Sequence, residues 1–435
     1  MKPVVDFARL SRALEPVSTV RVEGRVCAIT GLCMRATVPG ARVGELVEIV
    51  RRGAEPLAAE VVGFDDEQVV LMPYGDPGGV GPGDPVRAEG RAFDVRSGPG
   101  LLGRVLDGLG SPIDGAGPLR DAEPWGVMRD PPEPLARRRI TRSLPLGVRA
   151  IDALCTVAEG QRLGLFAGSG VGKSSLLGQI ARSASSDVNV ICLIGERGRE
   201  VREFVEESLG PEGLPRSVVV CATSDAAALV RLKSAFLATA IAEWFRDRGQ
   251  SVLLLMDSVT RFARAQREVG LAAGEPPTRR GYPPSVFSLL PRLLERSGNS
   301  ARGSITAIYT VLVEGGDMDE PIADEVRGIL DGHIVLARRI AERGQFPAID
   351  VLASLSRVMD GVVTQDHRAA AARVRSLLAA YEQKRDLIVL GAYKKGSDQE
   401  TDQAIAKIGA ITSFLTQKRD EPAAFEETVR RLSQI

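Results

Sequence analysis

Between residues 163 and 177 the chain reads LGLFAGSGVGKSSLL, an apolar strand, a glycine-rich turn and the opening of a helix with nothing between them. A strand that must turn through glycines directly into a helix belongs in an α/β sheet, with the turn at the strand's C-terminal end. Gly168, Gly170 and Gly172 let the backbone come within hydrogen-bonding distance of an anion, where a Cβ would intrude. Backbone N–H groups of Gly170, Val171, Gly172 and Lys173 are expected to face a β-phosphate, with Ser169 and Ser175 completing the loop and helix start. Lys173 would bridge β- and γ-oxygens, and the Ser174 hydroxyl would ligate Mg²⁺. The strict form of this loop begins with glycine, and here Ala167 stands in that place. The strand is expected to end at Phe166, so Ala167 need not approach a phosphate and is tolerable if its φ is negative.

Three further stretches supply the remaining chemistry. In SVLLLMD an apolar run ends on Asp257, a carboxylate expected at a strand tip beside the phosphate loop, where it can hold the metal's water shell. In CLIGERGREVREF, Glu196 follows a second buried strand and can orient an attacking water. Arg197 could reach the γ-phosphate there, and Glu200 could hold Arg197 or the metal's waters. In GQFPAIDVLASLSRVMD, Phe346 offers a flat apolar face suited to an adenine ring. Arg357 lies far along the chain from the phosphate loop, and arginines that stabilise phosphoryl-transfer transition states are often supplied by a neighbouring subunit.

Around these stretches the hydrophobic pattern changes several times. Helical spacing is expected over 1–19, with Val4, Phe7, Leu10 and Leu14 on one face. Residues 20–91 show short alternating runs punctuated by Gly, Pro and Asp, the pattern of a small antiparallel β-barrel. Residues 92–145 form a connector into the core, and the basic cluster in PPEPLARRRITRSLPLG reads as a solvated linker. Over 146–363 the strands RLGLFA, NVICLIG, SVVVCAT, SVLLLMD and SITAIYTVLV alternate with helical segments, which implies a parallel sheet covered on both faces. Residues 364–435 read as helical, with Ile405, Ile408, Ile411 and Leu415 on one face.

Composition narrows the choice of class. Lys plus Arg and Asp plus Glu each total 56, so the basic surplus usual for duplex nucleic-acid binding is missing. Five cysteines without CxxC spacing read as free thiols in a reducing compartment, and two histidines are too few for a histidine metal site. MKPVVDFARLSRALEPV lacks the apolar core of a signal peptide, and no apolar run nears the roughly 18 residues of a membrane span. A cytoplasmic chain is expected, attached to a membrane only through partners.

Taken in order, these elements resemble the catalytic chains of the rotary ATPase superfamily, and most of all the homohexameric ATPases of type III protein export, flagellar and injectisome. The resemblance runs along essentially the whole chain, through GLLGRVLDGLGSPIDG, LPLGVRAIDAL, AGSGVGKSS, GERGREVREF, DSVTRFARAQREVGLAAGEPPTRRGYPPSVF, LDGHIVLARRIAERGQFPAIDVLASLSRV and GAYKKGSDQETDQAI. Relatives in that group also carry alanine at the position of Ala167. The resemblance implies an α/β fold: a RecA-like P-loop core with a parallel sheet, an N-terminal β-barrel that helps form a ring, and a C-terminal helical domain facing partners. It implies ATP and Mg²⁺ as ligands. Lys173 and Ser174 match the phosphate and magnesium contacts, Glu196 the catalytic carboxylate and Asp257 the second magnesium residue. Phe346 matches an adenine-stacking aromatic that is commonly tyrosine, and Arg357 the arginine finger that reaches a neighbour's site. Implied partners are further copies of the chain, a stator-like negative regulator, a central-stalk-like protein, chaperone–substrate complexes and an inner-membrane export gate, with no nucleic acid.

Two departures from the family pattern stand out. Glu314-Gly315-Gly316-Asp317 lacks the second acidic residue of the EGDD that relatives often carry, and the tail has no clear counterpart of the EEP-rich rotor-contact motif of some F-type chains. A subunit of a rotary proton-coupled ATPase is the alternative. The lid-like GEPPTRRGYPPSVF beside a catalytic GER argues against either of its pure subunit roles. An RNA translocase of the transcription-termination type would need exposed aromatics in the barrel region, which holds only Phe64 and Tyr74. The AAGEPPTRRG loop, with Arg279 and Arg280, is a candidate pore lining.

Overall fold

A computed structural model describes residues 22–435, and the helix expected over 1–19 lies outside them. The described chain divides into two compact units, one running to Phe93 and including Val269–Glu275, the other comprising Asp94–Glu268 and Pro276–Ile435.

In the first unit six antiparallel strands close into a barrel. Glu23–Thr30 pairs with Cys33–Thr37 on one side and with Pro85–Ala92 on the other, and Leu57–Asp65 pairs with both Glu45–Ile49 and Gln68–Pro73. Closure removes the sheet edges that would otherwise invite pairing with other chains. Alternate residues, among them Met34, Ala36, Val47, Ile49, Val61, Leu71 and Val86, fill the interior. At Gly24 a Cβ would lie 1.6 Å from the Thr37 carbonyl oxygen, so only glycine fits there.

The second unit is built on a nine-stranded sheet whose main path runs Leu355–Ser356, Gly332–Leu336, Arg162–Ala167, Ser304–Leu312, Ser251–Asp257, Val188–Glu196, Ser217–Thr223 and Val105–Asp107. Neighbours from Gly332–Leu336 to Val105–Asp107 are parallel. All five strands expected in the core are present. Gly332–Leu336 gives no continuous apolar signal because its burial alternates, and Val105–Asp107 is only three residues long. One strand, Ser304–Leu312, separates the phosphate-loop strand from the one ending at Asp257, and both carry their loops to the same C-terminal edge.

The connector arginines are not all solvated. Arg137 donates to the Ser297 and Glu295 carbonyls at 2.8 and 2.5 Å, and Arg138 to the Ser300 carbonyl at 3.2 Å, so this basic cluster staples the connector to the core. All five cysteines are free thiols, four of them buried.

At the C-terminus the helices Gln365–Val389 and Gln399–Leu415 start on the side-chain caps of Thr364 and Asp398, and Phe425–Ser433 follows. Ile411 and Leu415 are buried as the spacing predicts, whereas Ile405 and Ile408 are half-buried. The buried stripe centres instead on Thr401, Ala404, Ile411 and Phe414. Arg149, buried at the start of the core, ties these helices down by donating to the Phe414 and Thr416 carbonyls and pairing with Glu421.

Deepest in the second unit, Arg296 and Glu243 form a two-pronged pair at 2.9 and 2.6 Å, with side chains 1% and 0% exposed. Arg296 also donates to the Val127 carbonyl, so one guanidinium fastens the connector to the helix Ala228–Arg246. Removing one partner leaves a buried charge unpaired. Glu243→Ala is expected to lose about 3–5 kcal/mol of stability. Glu243→Leu with Arg296→Met should lose markedly less, as denaturant midpoints would show.

Candidate active site

The phosphate loop has the backbone its glycines permit. Gly170 and Gly172 have φ of 76° and 87°, and Lys173 opens an eleven-residue helix with Gly172 as its N-cap. Ala167 is the last strand residue, one beyond the expected end, and is fully buried with negative φ. Its carbonyl accepts from Val313 N–H at 3.1 Å, so it serves as a strand-end anchor. Among the described residues no acceptor in the chain takes the N–H groups of Gly168 to Ser175. A row of free N–H groups ahead of a helix N-terminus is a nest for an anion, and phosphate oxygens fit it.

The neighbouring strand ends aim charge into this nest. Lys173 Nζ lies 2.5 Å from Asp257 Oδ1 and 3.6 Å from Glu196 Oε1. Asp257 is 3% exposed and also accepts from the Thr310 hydroxyl at 2.7 Å. Glu196 is 8% exposed, and Arg261 stands 3.2 Å from its second oxygen. Burial pushes the Glu196 carboxyl up to about 7, and the Asp257 charge adds to this while Lys173 and Arg261 oppose it. Glu200 shares a hydrogen bond with Glu196, and that bond holds Glu200 below the usual carboxylate range.

Other expected residues fall at the rim. The Phe346 ring faces the loop: a Cβ on Gly172 would lie 3.5 Å from Phe346 Cδ1, and the side chain is 45% exposed. Ser174 is exposed on the first helical turn. Arg197 is exposed and pairs with Glu200 at 2.9 Å, and the cations beside Glu196 are Lys173 and Arg261. Arg357 is exposed, its backbone N–H bonded to the Asp331 carbonyl, and among the described residues it has no carboxylate partner.

Sequence reasoning missed Arg261 and Thr310. Arg261 lies four residues past Asp257 in a strand–helix turn, so one helical turn returns it to the strand ends. Thr310 is a hydroxyl near the end of an otherwise apolar strand, a signal that points to it only once Ser304–Leu312 is known to adjoin Asp257.

The donors present suit Mg²⁺. A hydroxyl and a single carboxylate are hard oxygen ligands, and magnesium is usually held by one or two protein groups together with substrate phosphates. No group of three or more His, Cys, Asp or Glu side chains placed to hold a metal occurs among the described residues.

Comparison with known proteins places this geometry. The nucleotide-binding domain of the ATP synthase alpha/beta family matches residues 147–356, the beta-barrel domain of that family matches 26–90, and the T3SS EscN ATPase C-terminal domain matches 363–434. The chain is 52% identical to the flagellum-specific ATP synthase of Bacillus subtilis, covering 97% of both. It is 53% identical to the type 3 secretion system ATPase of Xanthomonas euvesicatoria, covering 98% of this chain and 97% of that one. Among solved structures, the assembled ATPase EscN of enteropathogenic E. coli superposes with a TM-score of 0.90 at 48% identity, over 94% of this chain and 99% of that one. EscN in complex with its central stalk EscO gives 0.87 over the same shares. With half its residues identical to these proteins along nearly its whole length, the chain belongs to the ATP synthase alpha/beta family and is an ATPase of its type III secretion and flagellar export branch.

Proposed function

We propose that the chain is the homohexameric motor of a type III protein export apparatus, hydrolysing Mg²⁺–ATP at sites completed by adjacent copies. The observation that carries this is the placement of Lys173 between Asp257 and Glu196 at the mouth of the N–H nest. That lysine has only to swing from Asp257 toward the loop to meet β- and γ-oxygens. Asp257, still held by Thr310, would face the metal's water shell, and Ser174 would supply a direct oxygen ligand. Magnesium, when bound, neutralises charge on the β- and γ-oxygens.

Glu196, titrating near neutrality, accepts a hydrogen bond from the attacking water and holds it in line with the γ-phosphorus. Arg261 keeps that carboxylate turned inward. Phe346 stacks on the adenine, and Arg197 is the second cation available to the γ-phosphate. Arg357, exposed and without a carboxylate partner among the described residues, is the finger offered to a neighbour's γ-phosphate. One chain carrying both Glu196 and Arg357 needs only copies of itself to build a ring of complete sites.

In this reading the ring releases export substrates from their chaperones and delivers them to a membrane gate. A stator-like protein restrains it and a central-stalk-like protein engages it. No described helix is long and apolar enough to cross a membrane, and attachment at the inner membrane runs through those partners.

Lys173→Ala should abolish nucleotide binding measured by a fluorescent ATP analogue. Glu196→Gln should retain ATP unhydrolysed and turn over about 10²–10⁴-fold more slowly; parental turnover would remove Glu196 from its role. Because kcat/KM reports the free enzyme, its acid limb should fall away below a pH of about 7 as Glu196 takes up a proton. Arg261 favours the ionised form, so Arg261→Ala should move that limb to higher pH. Arg357→Ala and Glu196→Gln proteins should each be nearly inactive, yet regain activity when co-assembled, because some mixed sites then hold both residues. No recovery in rings verified as mixed would sink the shared site.

A further inference from the structure

The segment 313–318 stands between two cavities. On one side is a cleft of about 400 Å³ bordered by Gly168 and Val171 of the phosphate loop, by Val313 and Gly316, and by Arg338. On the other is a charged cleft of about 410 Å³ lined by Arg264, Arg267, Arg280, Glu314, Asp317 and Glu320. The segment is fastened at both ends. Val313 N–H donates to the Ala167 carbonyl at 3.1 Å, and its own carbonyl oxygen is 3.6 Å from where a Gly168 Cβ would stand. Directly after Val313, Glu314 pairs with Arg264 at 2.9 Å, and at the far end Asp317 pairs with Arg280 at 3.5 Å.

Between Glu314 and Asp317, Gly315 and Gly316 have φ of 64° and 81°, and nothing stands within 4 Å of either where a Cβ would be. No packing demands glycine there; the left-handed φ does, and two consecutive glycines also leave this stretch the least restricted backbone of the segment. The chain also closes a loop through a second route. The helix Val259–Ala272 begins just past Asp257, presents Arg261 to Glu196 at 3.2 Å, and carries Arg264 into the charged cleft three residues later. Leu312 N–H is bonded to the Thr260 hydroxyl of that helix at 2.8 Å, just ahead of the segment.

We propose that segment 313–318 is a relay that couples phosphate-loop occupancy to the charged cleft, with Gly315–Gly316 as its hinge and the Arg264–Glu314 and Arg280–Asp317 pairs as its clasp. The inference rests on the nucleotide reading of the loop. A phosphate seated there bears on Ala167 and Gly168, Val313 passes the shift directly to its neighbour Glu314, and the hinge carries it on to Asp317. Coupling of this kind is reciprocal, so the clasp in turn biases nucleotide affinity. In the arrangement described here Lys173 is engaged by Asp257 while the clasp is closed. Loosening the clasp therefore favours the arrangement in which Lys173 is free to meet phosphate.

Hydrogen exchange on the full-length protein, with and without ADP or a non-hydrolysable ATP analogue, reads both ends at once. Nucleotide should protect 168–176 and alter exchange across 313–320. Glu314→Gln with Asp317→Asn, whose parent side chains are 80% and 49% exposed and so are safe to change, should tighten ADP binding by about fivefold or more. Protection at 168–176 with 313–320 unchanged, or an ADP affinity within about twofold of the parent, would overturn the relay and leave the nucleotide site standing. No protection at 168–176 would overturn the nucleotide reading and the relay with it.

Discussion

Everything at the catalytic edge depends on one lysine held between two carboxylates that cannot easily get away. Asp257 is pinned by Thr310 and Glu196 by Arg261, each at the end of a buried parallel strand, so the negative charge is fixed in place before any ligand arrives. Lys173, on the first turn of a helix, stands against both carboxylates. Fixing the carboxylates before a ligand arrives is what electrostatic preorganisation requires of a site of the kind proposed above.

The sheet makes that possible by its strand order. Placing Ser304–Leu312 between the phosphate-loop strand and the Asp257 strand sets their loops one strand apart, and it brings a hydroxyl to Asp257 from the intervening strand. Ligand sites in parallel sheets form where the chain's order changes across the C-terminal edge. The same intervening strand leads straight into segment 313–318, so one element both steadies Asp257 and leaves toward the charged cleft.

Much of this was legible before any coordinates, for physical reasons. Strands buried on both faces must be apolar throughout, and so RLGLFA, SVLLLMD and their neighbours declared themselves. The loop glycines and the strand-end aspartate followed from spacing alone. Gly332–Leu336, half-buried on one side, carried no such signature. Partners across the sheet were equally hidden, because Arg261 and Thr310 acquire their roles from adjacency that no linear spacing encodes. The connector arginines misled in the opposite direction. A run of like charge looks solvated, yet Arg137 spends its guanidinium on carbonyls of the core.

The side chain of Gln417 is buried, accepting from Arg149 N–H and donating to the Gly147 and Glu421 carbonyls, while its backbone N–H bonds the Phe346 carbonyl at 2.9 Å. The aromatic wall proposed for the base thus hangs from the same short link that anchors the C-terminal helices. Any displacement of the C-terminal helices that moves Gln417 therefore reaches Phe346 through a single backbone hydrogen bond, without passing through the sheet.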